Sequence, residues 1–301
     1  VKTFHAKGGS LIILEPHTGA ILALANQPGF DPNHPGRASA GARRNRAVTD
    51  LMEPGSVFKI VTAAALLEEG AVRPDEQVFC EQASYPTVGR HVLHDHRPHG
   101  WLTFADVIRH SSNIGTAKLA QRLPPATLYR YIQAFGFGRK TGVELPGEVS
   151  GMVAPPSRWS KLSPFIIPIG QEIAVTPMQL AVMTAVVANG GWKVQPYLIE
   201  RIQTQDGEVI RTDQRHTREQ LLSPKTVEQL QTMLTKVVES GTGKPANIQG
   251  LTVAGKTGTA QKLEPNGRYS HSRYVASFVG YGPVPDSRFA MVVTVDEPQP
   301  V

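Results

Sequence analysis

Residues 53–70 read Glu53-Pro54-Gly55-Ser56-Val57-Phe58-Lys59-Ile60-Val61-Thr62-Ala63-Ala64-Ala65-Leu66-Leu67-Glu68-Glu69-Gly70. Pro54 and Gly55 mark a turn. The run that follows is apolar nearly all round, so the pattern predicts a buried helix at the centre of the domain, stopped at Gly70. Ser56 opens that helix, and Lys59 falls on the same face one turn later. A serine hydroxyl can be activated by a neighbouring amine of suppressed proton affinity. Phe58 and Ile60 set Lys59 in apolar surroundings, and burial or a second nearby ammonium would lower its proton affinity. At a helix N-terminus the Ser56 N–H lacks an intrahelical acceptor and suits an oxyanion. Taken alone, the pair also reads as a serine N-cap followed by a surface lysine, but a surface lysine calls for a polar face that this run lacks.

Two further stretches give the pair its meaning. Ser111-Ser112-Asn113 lies between two predicted helices, where a short polar turn is the plain reading. Its functional reading puts the Ser111 hydroxyl between nucleophile and lysine as a proton conduit, and points the Asn113 amide at a substrate peptide group. K-T-G occurs twice. Lys140-Thr141-Gly142 sits in a Gly/Pro-rich stretch and reads as a turn. Lys256-Thr257-Gly258-Thr259 continues the strand pattern LTVAGKTGTAQ (251–261), with Lys256 and Gly258 on one face and Thr257 and Thr259 on the other. A twist or bulge at the glycines would bring Lys256 and both hydroxyls to one cleft. Gly258 would let a substrate backbone come close, and an edge strand there could pair with an extended peptide. Ser56 begins the only S-x-x-K of the chain and Ser111 the only S-x-N. In this order the three elements point to acyl transfer through a serine ester.

Working outward, SLIILE (10–15) and AILALA (20–25) flank Pro16-His17-Thr18-Gly19 and predict an antiparallel hairpin. Residues 28–50 read as a long loop and 71–101 as irregular. Thr103 to Asp106 predicts a capping box for a helix to about His110, with further helices from Ile114 to about Arg122 and over 126–135. Thr176-Pro177-Met178-Gln179 supplies an N-cap, Pro at N1 and Gln at N3 for another. Asp206-Gly207 joins strands near 198–204 and 208–211. A helix runs from Ser223-Pro224 to about Ser240, and strands follow at 251–261, 274–281 and 289–296. The fold class is α+β: an antiparallel sheet built from the N-terminal hairpin and the C-terminal strands, flanked by helices, with an all-helical subdomain. No linker divides the chain, so residues 1–301 read as a single domain.

Composition narrows the classes. The 301 residues carry a formal charge of +6, yet no Lys/Arg block or aromatic–basic alternation suggests nucleic acid. No apolar run is long enough to cross a bilayer, and Val1 reads as the start of a fragment. Cys80 is the single cysteine, so there is no internal disulfide. His91, His94, His96 and His99 cluster downstream of it. Zinc is the sharp hypothesis, but the spacing matches no closed zinc motif, so titrating loop histidines are preferred and no metal or cofactor is expected. Trp101, Trp159 and Trp192 read as packing residues.

Beyond the three elements the chain resembles the transpeptidase domain of class B penicillin-binding proteins, the division and elongation type. The resemblance runs through GGSLIILEPHTGAILALANQPGFDPN, NRAVTDLMEPGSVFK, HGWLTFADVIRHSSNIG, FGFGRKTGVELPGE, GQEIAVTPMQLA, AGKTGTAQ and FVGYGPVPDSRFAMVVTVDEP. It implies a penicillin-binding/serine β-lactamase-like fold. It also implies that Ser56 is acylated by the D-Ala-D-Ala end of a peptidoglycan stem peptide, with Lys59 as general base. Ser111 would relay the proton to the leaving amine and Asn113 would hold the substrate amide. Lys256, Thr257 and Thr259 would bind the terminal carboxylate beside Gly258, and the N–H groups of Ser56 and Thr259 would form the oxyanion hole. Gln171 would border the cleft as supporting structure. An amine of a second stem peptide then takes the acyl group, and a β-lactam imitates the donor. The implied setting is the extracytoplasmic face of the cytoplasmic membrane, with cell-wall partners such as a glycosyltransferase. In this family an N-terminal anchor and module precede the domain, and a Gly-rich stretch and helix follow the last strand; neither pattern is in this sequence. The competing readings are a D,D-carboxypeptidase, a serine β-lactamase and a non-catalytic binding module.

Overall fold

The computed structural model describes residues 1–212, 219–264 and 267–299. The five strands of its main sheet are β1 (Gly8–Leu14), β2 (Ile21–Gln27), β3 (Ala254–Leu263), β4 (Tyr269–Gly282) and β5 (Phe289–Asp296), in the spatial order β3-β4-β5-β1-β2. All four pairings are antiparallel. The two ends of the chain meet at β1 and β5, where Ser10 and Thr294 pair in register and their buried hydroxyls lie 2.7 Å apart. This is the antiparallel sheet expected from the N-terminal hairpin and the C-terminal strands, with β3 left as an edge.

Six helices of seven residues or more are named here: α1 (Lys59–Glu68), α2 (Phe104–His110), α3 (Asn113–Ala120), α4 (Pro125–Ala134), α5 (Pro177–Ala188) and α6 (Pro224–Ser240). Helix α5 is apolar all round because it is buried all round: it packs across β5, β1 and β4, and every one of its residues is buried. Its start is the capping box expected at Thr176, with Gln179 closing the reciprocal bond. Helix α6 lies against β3 and α1. Ser223 caps it and is itself held by the Glu68 carboxylate at the end of α1, which accepts from the Ser223 N–H and hydroxyl at 3.0 Å each. Helix α1 thus sits at the centre, in contact with α3, α4 and α6.

Several details differ from the sequence reading. The stretch 28–50 holds two four-residue helices, Ala40–Arg43 and Arg46–Thr49, single turns too short to leave a periodic signature. The stretch 71–101 carries two short ladders, Gln77–Phe79 with Trp101–Thr103 and Ser84–Pro86 with Val92–His94. No bulge falls at the glycines of β3: the register with β4 runs unbroken from Ala254 to Gln261 and shifts only between Gln261 and Leu263. Trp101 is no packing residue, being 66% exposed and resting on Phe79 alone among the described aromatic rings. Trp159 does pack on the core.

Candidate active site

The segment carrying Ser56 begins as a 3-10 turn, Gly55–Phe58, rather than as the α-helix itself. In a 3-10 turn side chains at i and i+3 share one side, so Ser56 and Lys59, the residue that closes the turn, face the same way. The Lys59 N–H donates to the Ser56 carbonyl. Gly55 makes the turn feasible: its φ is +53°, and a Cβ there would stand 2.9 Å from the Thr259 carbonyl oxygen on β3. Behind it, the Gly55 N–H donates to the Gly170 carbonyl at 3.1 Å, so the Ile169-Gly170-Gln171 stretch backs the turn while Gln171 stays outside the cleft lining.

Lys59 is fully buried. Its amine donates to the Ser111 carbonyl at 2.6 Å and the Asn113 Oδ1 at 2.8 Å, with the Ser111 Oγ at 3.3 Å. Burial, then the positive charge of Lys256, hold its proton affinity well below the ordinary lysine range. A neutral amine has two N–H groups and one lone pair. The two close acceptors use the N–H groups and leave the lone pair for a hydroxyl proton. Lys256, also fully buried, donates to the Ser111 Oγ at 2.9 Å and to the Thr257 carbonyl at 3.2 Å; burial pushes it down to about 7. The Ser111 hydroxyl therefore bridges two lysines, where the sequence reading set it between nucleophile and lysine. Among the described residues the Ser56 hydroxyl has no hydrogen-bond partner, and catalytic hydrogen bonds are often loose before substrate arrives.

Ser111 holds its place at a cost. It ends α2 in the left-handed conformation, φ 61° and ψ 36°, which is uncommon for a residue with a side chain and turns its carbonyl onto Lys59. The residue that fixes this turn is Asp95, which the sequence reading missed. Its carboxylate accepts from the Ser112 hydroxyl at 2.5 Å and from the Asn113 and Ile114 N–H groups at 2.5 and 3.0 Å. A buried carboxylate at the first turn of α3 also suits the helix dipole. Asn113 is more of a strut than expected: one side-chain N–H goes to the His94 carbonyl at 2.9 Å and its oxygen to Lys59. Thr242, just past the end of α6, is a second missed neighbour, its hydroxyl 2.8 Å from that of Thr257. Glu53, three residues before Ser56, accepts from the Tyr269 hydroxyl and the Glu172 N–H at 2.9 Å each, and its carboxyl is pushed up to about 7 by burial. That tie links the Ser56 segment to the β3–β4 hairpin.

Ser56, Ser111, Asn113, Thr257, Gly258 and Thr259 line one cleft of about 640 Å3, with the Lys59 and Lys256 amines meeting at Ser111. All eight residues singled out in the sequence therefore converge. The other K-T-G does not take part: Thr141 and Gly142 bond to the Glu148 carboxylate in a loop beside a separate cavity. The histidine cluster divides. His91 faces Thr87 and His94 faces Ser84, whereas His96 and His99 line the cleft. Among the described residues no group of three or more His, Cys, Asp or Glu is arranged to hold a metal ion.

Comparison with known proteins gives one answer. The profile of the penicillin binding protein transpeptidase domain matches residues 9–300. Penicillin-binding protein PbpB of Mycolicibacterium smegmatis is 38% identical over 98% of this chain and 47% of its own length. Stage V sporulation protein D of Bacillus subtilis is 34% identical over 98% of the chain and 46% of its own. The chain thus spans about half the length of the curated relatives it matches. Among solved structures, penicillin binding protein 3 of Mycobacterium tuberculosis in complex with aztreonam superposes with a TM-score of 0.90 at 35% identity, covering 99% of this chain and 68% of that one.

Proposed function

The chain belongs to the penicillin-binding protein transpeptidase family, of the class B kind, and from that premise we propose that it is a D,D-transpeptidase forming peptidoglycan cross-links through a Ser56 acyl-enzyme. The observation that carries this is the Ser111 hydroxyl held between two buried lysine amines beside the cleft that Ser56 lines. Residues 1–301 then act as one transpeptidase domain.

In the proposed cycle the Ser56 Oγ attacks the penultimate D-Ala carbonyl and its proton passes to the Lys59 lone pair. Such a base is worth about 10²–10⁴ in rate. The N–H groups of Ser56 and Thr259 take the oxyanion, about 3–4 kcal/mol of barrier per donor. Lys256, Thr257 and Thr259 hold the terminal carboxylate, and Gly258 leaves room for the peptide. The proton travels through Ser111 to the leaving nitrogen as the peptide bond breaks, releasing D-alanine and leaving the ester. An acceptor amine then attacks, the ester bond breaks, a new amide forms, and the amine's proton returns to Ser56. A β-lactam enters as the donor and stays as a slowly hydrolysed ester.

The β-lactamase reading is less well supported. It needs a group placed to activate the deacylating water, and Asp95, the one carboxylate among the described residues lining the cleft, has both oxygens engaged by Ser112, Asn113 and Ile114. The proposed setting is the extracytoplasmic face of the membrane, where the substrate lies, with a glycosyltransferase as the partner that supplies glycan strands. No helix among the described residues is long and apolar enough to cross a membrane. The test supplies a stem pentapeptide donor, an amine acceptor and, separately, nitrocefin. Amide-linked product with slow nitrocefin turnover is expected. Release of D-alanine without linked product favours a carboxypeptidase, and rapid nitrocefin turnover a lactamase.

A further inference from the structure

The cavity beside the loop copy of K-T-G shares no lining residue with the catalytic cleft. It measures about 370 Å3, a size that holds a small molecule. The chain just past α4, the loop carrying Arg139 and Lys140, helix α5 and the stretch 193–196 enclose it. Phe135, Val182 and Val194 form a buried floor. Gln179 is buried beside them with its amide engaged by the chain. Its oxygen accepts from the Thr176 N–H at 2.9 Å, and its nitrogen donates to the Arg139 and Ser150 carbonyls at 2.7 and 2.9 Å. The inner part of the cavity therefore suits an apolar group.

The mouth is of the opposite character. Arg139, Lys140 and Lys193 stand there against one carboxylate, Glu219. Glu219 is the cross-strand neighbour of Lys193, yet none of the three cations has an ion-pair partner among the described residues. Their backbone, in contrast, is pinned. The buried Glu148 carboxylate accepts from the Thr141 N–H and hydroxyl at 2.7 and 2.5 Å and from the Gly142 N–H at 3.2 Å, and Gln195 donates to the Gly142 carbonyl at 2.9 Å. A fixed rim with unpaired cations attracts an anion. We propose that this cavity is a second ligand site, for a small organic phosphate whose apolar body sits on Phe135, Val182 and Val194 while Arg139 and Lys193 hold the phosphoryl group at the mouth. A phosphomonoester brings about two negative charges and three acceptor oxygens, which answers the excess of cations. The Arg139 guanidinium offers the forked donors that phosphate takes in pairs.

The test titrates the whole chain calorimetrically with 1-naphthyl phosphate, 1-naphthoate and inorganic phosphate. Naphthyl phosphate is expected to bind in a single saturable step, about threefold tighter than naphthoate, the scale of one further exposed charge contact. It should bind about tenfold tighter than inorganic phosphate, which lacks the apolar body. Arg139→Gln combined with Lys193→Gln should weaken it by about tenfold with thermal unfolding unchanged, and Arg139→Lys combined with Lys193→Arg should keep most of the affinity. Salt at about 1 M should weaken it as well. Filling the catalytic cleft beforehand with benzylpenicillin should leave the titration unmoved, because the two sites share no residue. No saturable binding, equal affinity for the three ligands, undiminished binding in the double Gln variant, or loss of binding after penicillin treatment overturns the proposal.

Discussion

The chain contains the same tripeptide twice, and its two copies have opposite fates. Lys140-Thr141-Gly142 lies in a loop, with Lys140 exposed and Thr141 and Gly142 folded around the buried Glu148 carboxylate. Lys256-Thr257-Gly258 lies on the edge strand β3, with Lys256 fully buried and its amine on Ser111. In the first copy a local carboxylate satisfies the turn and the lysine stays in water. In the second, burial weakens the lysine's hold on its proton and a second lysine shares its partner. The two copies differ in setting: the second lies on the strand edge with the Ser56 turn packed on it.

That contrast can be broken by substitution. The largest expected effect is on penicillin acylation: Lys256→Ala should slow it by about a hundredfold or more, the scale of losing a positioned charged donor, whereas Lys140→Ala should leave it unchanged. Equal losses would erase the distinction. The glycines should separate next. A Cβ on Gly258 would stand 2.5 Å from the Ser277 Oγ and 2.8 Å from Val57 Cγ2, pushing β3 off the nucleophile turn. Gly258→Ala is expected to lower the acylation rate by about tenfold or more. At Gly142, where φ is +81°, the obstacle is the end of the Gln195 side chain at 2.6 Å, so Gly142→Ala should cost about 1 kcal/mol in thermal unfolding and leave acylation intact. The smallest effect is the pH profile, with slopes of at most about tenfold per unit. Acylation should rise with pH as Lys59 sheds its proton, then fall above about 7 as Lys256 loses its charge. The two limbs belong to the coupled pair. Lys256→Arg should remove the alkaline limb, and a limb that persists would assign it elsewhere.

What could be read in the sequence was what local rules control. Ser223-Pro224 and Gly241 bracket a helix observed over Pro224–Ser240, and Thr176 to Gln179 forms the expected box. The expected strands at the two ends of the chain do pair with one another. Of the eight residues of the three short elements, Ser56, Lys59, Ser111 and Asn113 sit at helix ends with their own signals, and Lys256 to Thr259 lie on a strand whose pattern is legible. Asp95 could not be read this way: it belongs to a four-histidine stretch without periodicity, and its role exists only once Ser112, Asn113 and Ile114 arrive from 17 to 19 residues away. Of the twist or bulge offered for the β3 glycines, the bulge is absent, and the Lys256 side chain reaches Ser111 and the Thr257 carbonyl with its own amine. Trp101 shows the limit of reading size as burial.

The convergence of the three elements on one acylatable hydroxyl is tested most directly by intact-protein mass after incubation with benzylpenicillin, followed by peptide mapping. The account predicts one adduct, on the peptide carrying Ser56, lost in Ser56→Ala and nearly lost in Lys59→Ala. An adduct that persists in Ser56→Ala, or maps to any other serine, would contradict it.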